Sequence, residues 1–197
     1  MLKFFIENKK FDIFHRDIYG NNILHSSNDL EITKYLLSLN MDPNKPNKNG
    51  NNLLHISCLN KNLEMIKYLI EDLKIPIETT NRNGFNLILL CLENLYVIND
   101  SESSGDNNDS EEKEEDDQMV EILIYLLDLN LFDFNVYNYQ THENLLTFAY
   151  KNNCNATAIK SLYETGYFDH SCRDIISDLP RNFDPNILVY FIFRKEN

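Results

Sequence analysis

Five glycines in 197 residues leave little material for a phosphate-cradling loop. Such loops need several glycines whose backbone N–H groups can close on the anion. Basic residues are also scarce. Lys and Arg number 18 against 31 Asp and Glu, for a net charge of −13. They form no stripe, and phosphate contacts require clustered Lys and Arg. A nucleic-acid partner is therefore not expected. Cys58, Cys91, Cys154 and Cys172 form no C-x-x-C pair. No apolar run approaches the roughly 20 residues of a membrane-spanning helix. The apolar start Leu2–Phe5 is broken by Glu7 and Lys9-Lys10, so no signal peptide is read and no membrane partner is expected. The chain reads as intracellular, cytoplasmic or nuclear, with reduced thiols. No G-x-S-x-G and no H-E-x-x-H occur, so no catalytic constellation, cofactor, metal or small-molecule substrate is expected.

What the chain does have is repetition. Residues 20–27 read GNNILHSS and residues 50–57 read GNNLLHIS. A catalytic motif is normally needed once, whereas a structural unit can be needed many times, so fixed-period self-similarity is tested first. DIYGNNILHSS at 17–27 is followed by LEITKYLLSLNMDPN at 30–44. NKNGNNLLHIS at 47–57 is followed by LEMIKYLIEDLKIPIE at 63–78. NRNGFNLILLC at 81–91 finds its continuation, MVEILIYLLDLNLFDFN, only at 119–135. YQTHENLLTFA at 139–149 is followed by AIKSLYETGYFDH at 158–170, and LKFFIENKKFDIF at 2–14 matches the second half of a unit.

The slots of the unit carry physical meaning. Asn22, Asn52, Asn86 and Asn144 precede an apolar pair, where an Asn can accept a backbone N–H and start a helix. Ser27, Ser57, Cys91 and Ala149 follow five residues later. All are small, as close helix–helix approach demands. Lys10, Asn40, Lys74, Asn130 and Gly166 follow each second helix, at the place where left-handed caps end helices. Lys suits that conformation less well than Gly or Asn, so two of the five caps are expected to be strained or differently built. Gly20, Gly50 and Gly84 mark turns. The second helices place Ile32, Tyr35, Leu36 and Leu37, then Met65, Ile66, Leu69 and Ile70, then Ile122, Leu123, Leu126 and Leu127 at helical spacing. Each unit is too small to bury its own apolar face and must stack on its neighbours.

This pattern resembles the ankyrin repeat family, whose unit opens with T-P-L-H-x-A. The matching stretches here are N-I-L-H-S-S at 22–27 and N-L-L-H-I-S at 52–57, with NMDPN, KIPIE and GYFDH in the loop position. The resemblance implies an all-α solenoid of helix-turn-helix units with β-turn tips. On that basis residues 1–16 form an N-terminal half-repeat, 17–170 form about four repeats, and 171–197 form a C-terminal helical cap. The resemblance further implies that His25 and His55 hydrogen-bond backbone at the junctions between repeats. Departures exist. Asn replaces Thr, and the Pro is absent. His25 to Tyr35 spans ten positions where His55 to Tyr68 spans thirteen, so the first helix of the first unit should be nearly a turn shorter.

The third unit is interrupted. Residues 99–118 hold ten acidic residues and one lysine, a net of −9 that leaves only −4 for the rest of the chain. A like-charged tract without apolar residues is expected to be a disordered loop, with the helix after it starting near Met119. It lacks the ordered spacing of a calcium loop. Ser103 and Ser110, with acidic residues just after them, are candidate sites for an acid-directed kinase.

The remaining functional feature is surface. The resemblance implies partner binding on the concave face formed by turn tips and first helices. The candidate partner-binding residues are Tyr19, Asn21, Lys48, Asn49, Asn51, Arg82, Asn83, Phe85, Tyr139 and Gln140. Tyr, Arg and Phe are interface-enriched types. The function read is therefore a non-catalytic scaffold or adaptor that binds a protein. The alternative is a substrate-recognition subunit of a ubiquitin ligase, because the tail, with Leu179-Pro180 and Ile187-Leu188, looks faintly like a SOCS box or F-box. His170 and Cys172 make at most half a metal site.

Overall fold

A computed structural model describes residues 6, 12–95, 109–129, 145, 148–149, 154 and 156–164. It divides into two compact units, residues 1–87 and 88–197. The described residues are helices and turns without a strand. The helices are α1 (Leu30–Ser38), α2 (Leu53–Leu59), α3 (Leu63–Lys67), α4 (Leu87–Glu93), α5 (Asp109–Asp128) and α6 (Ala156–Glu164). The fold class is all-α, as the repeat pattern predicts.

Each well-described helix start in the first unit has an Asx cap. Asp29 accepts from Ile32 N at 2.8 Å to start α1, and Asn62 accepts from Met65 N at 2.9 Å to start α3. Asn52 accepts from His55 N at 3.1 Å to start α2. A cap of this kind contributes about 1 kcal/mol, because it satisfies an otherwise orphaned N–H. The first repeat's counterpart of α2 is a single turn. His25 N and Ser26 N both donate to Asn22 O, at 3.0 and 3.3 Å, and Ser27 N donates to Leu24 O at 3.3 Å.

The small-residue slot is filled as its role requires. Ser57, Cys91 and Ala149 are buried, and Ser27 is half-buried. Met65, Ile66, Leu69 and Ile70 are all buried on α3 and its continuation. On α1 the buried positions are Thr33 and Leu36, while Ile32 is exposed. Thr33 is accommodated inside because its hydroxyl meets Ser27 Oγ at 2.9 Å. The two second helices also touch near their surface, where the Lys34 ammonium lies 5.3 Å from the Tyr68 ring centroid.

The segment after α3 is π-helical over Tyr68–Asp72. Leu73 N reaches back five residues to Tyr68 O at 3.2 Å, and Ile75 N reaches Leu69 O at 3.0 Å. The cause is a one-residue insertion. Equivalent residues are offset by 33 from Leu36 to Leu69 but by 34 from Asn40 to Lys74. A π turn is the usual way for a helix to absorb such an extra residue. The left-handed caps stand where the pattern puts them, at Asn40 (φ 62°) and Lys74 (φ 54°), with a further one at Lys61 (φ 54°). The cap positions Lys10, Asn130 and Gly166 lie outside the described residues.

In the second unit α5 packs on α6. Ile122, Leu123, Leu126 and Leu127 supply the buried face of α5, with Ala158, Ile159 and Leu162 on α6. The start of α5 differs from the expectation. The helix begins at Asp109, ten residues before Met119, so residues 109–118 are helical and not an unstructured loop. The physical reason is that Glu and Lys are good helix formers. The remainder of the acidic tract, the residues before 12 other than Ile6, and the tail after 164 lie outside the described residues.

Candidate functional site

Three turns share one architecture: Asp17–Asn22, Asn47–Asn52 and Asn81–Asn86. In each, the leading Asx side chain accepts two backbone N–H groups. Asp17 Oδ1 accepts from Tyr19 N and Asn21 N at 2.9 and 2.8 Å. Asn47 Oδ1 accepts from Asn49 N and Asn51 N at 2.9 and 3.0 Å. Asn81 Oδ1 accepts from Asn83 N and Phe85 N at 2.9 and 3.0 Å. The leading residue's carbonyl accepts from the glycine three positions on, at 2.9 to 3.0 Å in all three turns. The glycines hold φ of 77°, 81° and 75°, which only a residue without Cβ adopts cheaply.

The turns also bond to one another. Lys48 N donates to Tyr19 O at 2.9 Å, and Arg82 N donates to Asn49 O at 3.0 Å. Between the same turns Asn47 Nδ2 donates to Asn21 Oδ1 at 2.9 Å, and Asn81 Nδ2 donates to Asn51 Oδ1 at 3.1 Å. The result is a two-rail ladder, one rail of backbone and one of side-chain amides. Asp17, a carboxylate, has no N–H to extend the amide rail on one side. Phe85, in the slot of Asn21 and Asn51, has no oxygen to extend it on the other. The Asp17 carboxyl lies below its ordinary value: a desolvation cost acts against this but is outweighed by the hydrogen bonds from Asn21 and Tyr19.

The ladder sorts the candidate residues. Tyr19 is 63% exposed, and Lys48, Asn49, Arg82 and Asn83 are exposed as well. Phe85 is half-buried. Asn51 is buried with its amide engaged by Asn81, and Asn21 is half-buried with its amide engaged by Asn47. The side-chain oxygens of both are thus engaged inside the ladder. Tyr139, Gln140 and Ser103 lie outside the described residues, as do the SOCS- or F-box-like tail and the His170–Cys172 pair. Ser110 is the second residue of α5, and its side chain is outside the described set.

The two motif histidines stand behind the tips. His55 Nε2 meets Thr79 O at 3.1 Å, tying the second repeat to the loop before the third tip. Desolvation by burial holds its ring below the usual histidine value, partly offset by the Thr79 and Phe85 backbone. His25 is also held below that value, first by desolvation and then by the charge of Arg16. Its Nε2 makes no hydrogen bond. So His55 bonds the Thr79 carbonyl at its junction, whereas the Asn51 and Lys45 backbone faces the His25 ring without a hydrogen bond to its Nε2. The shorter first repeat has Lys45 where the second has Thr79. Arg16 braces this first junction, with Nη1 donating to Gly20 O and Pro46 O, both at 3.0 Å.

The three described thiols are core, and Cys172 lies outside the described residues. Cys58, Cys91 and Cys154 are buried, and burial pushes the Cys154 thiol up to about 12. Among the described residues no three His, Cys, Asp or Glu side chains gather where they could hold a metal ion. Among them, too, no helix is long and apolar enough to cross a membrane.

Sequence reasoning missed Asp17, Asn47 and Asn81 as the organisers of the tips. The signal was present as an Asx three residues before each turn glycine.

Two comparisons bear on this geometry. Residues 26–70 match the family described as ankyrin repeats (many copies). The human protein transient receptor potential cation channel subfamily A member 1 is 34% identical over 88 residues, which is 42% of this chain. The match spans only 8% of that protein's length.

Proposed function

We propose that this chain, which carries ankyrin repeats, is a non-catalytic interaction module that binds a protein partner on its tip ladder. The observation that carries the reading is the row of exposed side chains on a hydrogen-bonded scaffold: Tyr19, then Lys48 and Asn49, then Arg82 and Asn83. Most of the apolar side chains on the described helices are buried, Ile32 and Ile124 excepted, and the tips present large and charged side chains to solvent on a hydrogen-bonded base. Rigid presentation lowers the ordering cost of binding, and Tyr and Arg are the types that anchor interfaces. The placement of such a module in the cytoplasm or nucleus follows from the sequence reading alone.

The test is affinity capture from native lysate, read by mass spectrometry, with the intact chain and a Tyr19→Ala/Arg82→Ala variant as baits. The variant should stay folded by circular dichroism and lose the partners that the intact chain retains. Partners captured equally by both would overturn the tip reading. A third bait lacking residues 180–197 tests the ligase-adaptor alternative, which requires ubiquitin-ligase subunits to disappear with the tail.

A further inference from the structure

Only two of the five glycines follow an asparagine, and both pairs stand on tips: Asn49-Gly50 and Asn83-Gly84. On the first tip Tyr19 fills the slot before Gly20. An Asn-Gly pair carries its own chemistry. The glycine backbone nitrogen can attack the asparagine side-chain carbonyl carbon, and a glycine leaves that nitrogen unhindered because it has no Cβ. Asn49 and Asn83 are both exposed, so water reaches the reacting groups.

Within their own turns the two pairs are held alike. Asn49 N donates to Asn47 Oδ1 and Asn83 N to Asn81 Oδ1, both at 2.9 Å. Gly50 N donates to Asn47 O and Gly84 N to Asn81 O, both at 3.0 Å. Neither the Asn49 nor the Asn83 side-chain amide is engaged among the described residues.

The ladder separates them. Ring closure rotates the peptide plane that joins asparagine to glycine. That plane carries the asparagine carbonyl at one end and the glycine N–H at the other. On the second tip both ends are held, because Asn49 O also accepts from Arg82 N at 3.0 Å. Arg82 N lies 2.6 Å from where a Cβ on Gly50 would stand, so backbone walls the plane in. On the third tip only the N–H end is held among the described residues. No described donor reaches Asn83 O, and no described atom lies within 4 Å of where a Cβ on Gly84 would stand.

We propose that Asn83 is a site of spontaneous deamidation and that the backbone rail suppresses the same reaction at Asn49. Gly84 N forms a bond to Asn83 Cγ. The bond from Cγ to the side-chain nitrogen breaks, and that nitrogen takes up the Gly84 proton and leaves as ammonia. Water then opens the resulting cyclic imide at either carbonyl. One opening gives aspartate and the other gives isoaspartate, with water the only co-reactant and no change of oxidation state. Either product places a carboxylate beside Arg82. Isoaspartate also lengthens the main chain between Arg82 and Gly84 by a methylene. The third tip therefore changes charge and shape with age, while the second keeps both.

The reaction needs no partner, so it stands or falls apart from the tip-binding reading. The intact chain is incubated at pH 8 and digested at mildly acidic pH. Both pairs are followed by mass spectrometry with electron-transfer fragmentation, which distinguishes isoaspartate from aspartate. Asn83 should convert about 2- to 10-fold faster than Asn49, the factor expected when one hydrogen bond fewer has to break. In concentrated urea the two rates should converge. Arg82→Pro suits the second position of a four-residue turn and removes the N–H that holds Asn49 O, so it should raise the Asn49 rate toward that of Asn83. Equal rates in the folded chain, or a faster Asn49, would overturn the proposal. So would a difference that persists in urea, or an unchanged Asn49 rate in a folded Arg82→Pro. If that variant does not fold, the wild-type rates decide alone.

Discussion

The first and second repeats are built from nearly the same letters, yet they are not equally finished. The second has a full helix α2, a buried Ser57 and a histidine bonded at both ring nitrogens. The first has one turn in place of that helix, a half-buried Ser27 and a histidine with one ring nitrogen unpartnered. The difference traces to three residues. A shorter unit loses nearly a turn of helix. The tips do not share this asymmetry. Their hydrogen bonds match to within a few tenths of an ångström in all three turns, because they depend on six consecutive residues and not on unit length.

The largest effect that could break this contrast lies in the core. Leu53 is 1% exposed, and its counterpart Ile23 is half-buried. Leu53→Ala should cost about 2–5 kcal/mol, the range for truncating a buried aliphatic side chain. Ile23→Ala should cost clearly less. Chemical denaturation of the full chain measures both, and equal losses would mean that the first repeat is packed as tightly as the second.

The turn glycines come next. Any side chain there pays about 1–2 kcal/mol for the left-handed conformation. A Cβ at Gly50 would also lie 2.6 Å from Arg82 N. At Gly20 the nearest backbone atom, Lys48 N, is at 3.0 Å, and at Gly84 no atom of the described residues lies within 4 Å. Alanine substitution should therefore destabilise most at Gly50, less at Gly20 and least at Gly84. A different order in thermal melts would show that the tips do not stack as tightly as the ladder requires.

The histidines sharpen the comparison through pH. Both folded-state values lie below the ordinary 6.5. The unfolded chain therefore takes up protons first as pH falls. Their stabilising contribution is complete above about pH 6.5, where unfolded histidine is neutral, and declines as pH drops toward the folded values. Asp17 does not contribute to this window, because its stabilisation persists until pH falls below 3.8. Urea midpoints should be lower at pH 5.5 than at 7.5, and a His25→Gln/His55→Gln chain should lose most of that slope. A slope that survives both substitutions would assign it elsewhere.

The smallest effect tests the amide rail. Asn81→Asp keeps the oxygen that organises the third tip and removes the N–H donated to Asn51, which makes the turn like Asp17. The expected loss is about 0.5–1.5 kcal/mol, the net value of one hydrogen bond. No loss at all would mean that the backbone rail alone holds the tips together.

Much of this was legible in the letters. Asn52 announces a helix start, Gly20 and Gly50 announce turns, and Asn40 marks a helix end, because each residue type has a backbone or capping preference that acts locally. The burial of Thr33 was not legible, since it depends on Ser27 arriving beside it from another turn. Nor was the commitment of Asn21 and Asn51 to the rail, which requires two repeats to be stacked before their amides can meet. The start of α5 was misjudged because charge was weighed above helix propensity in residues 109–118.

The π turn at Tyr68–Asp72 has one more meaning. Upstream and downstream of it the buried residues of the two repeats stay in phase, with Thr33 matching Ile66 and Met41 matching Ile75, all four buried. A lone extra codon in an ordinary helix would rotate everything after it by about 100°, since the helix has 3.6 residues per turn. Here the widened coil takes up the extra residue and hands the chain on correctly aimed. The second repeat thus absorbs one extra residue while its buried face keeps the phase of the first, an elasticity of reading frame written into the backbone.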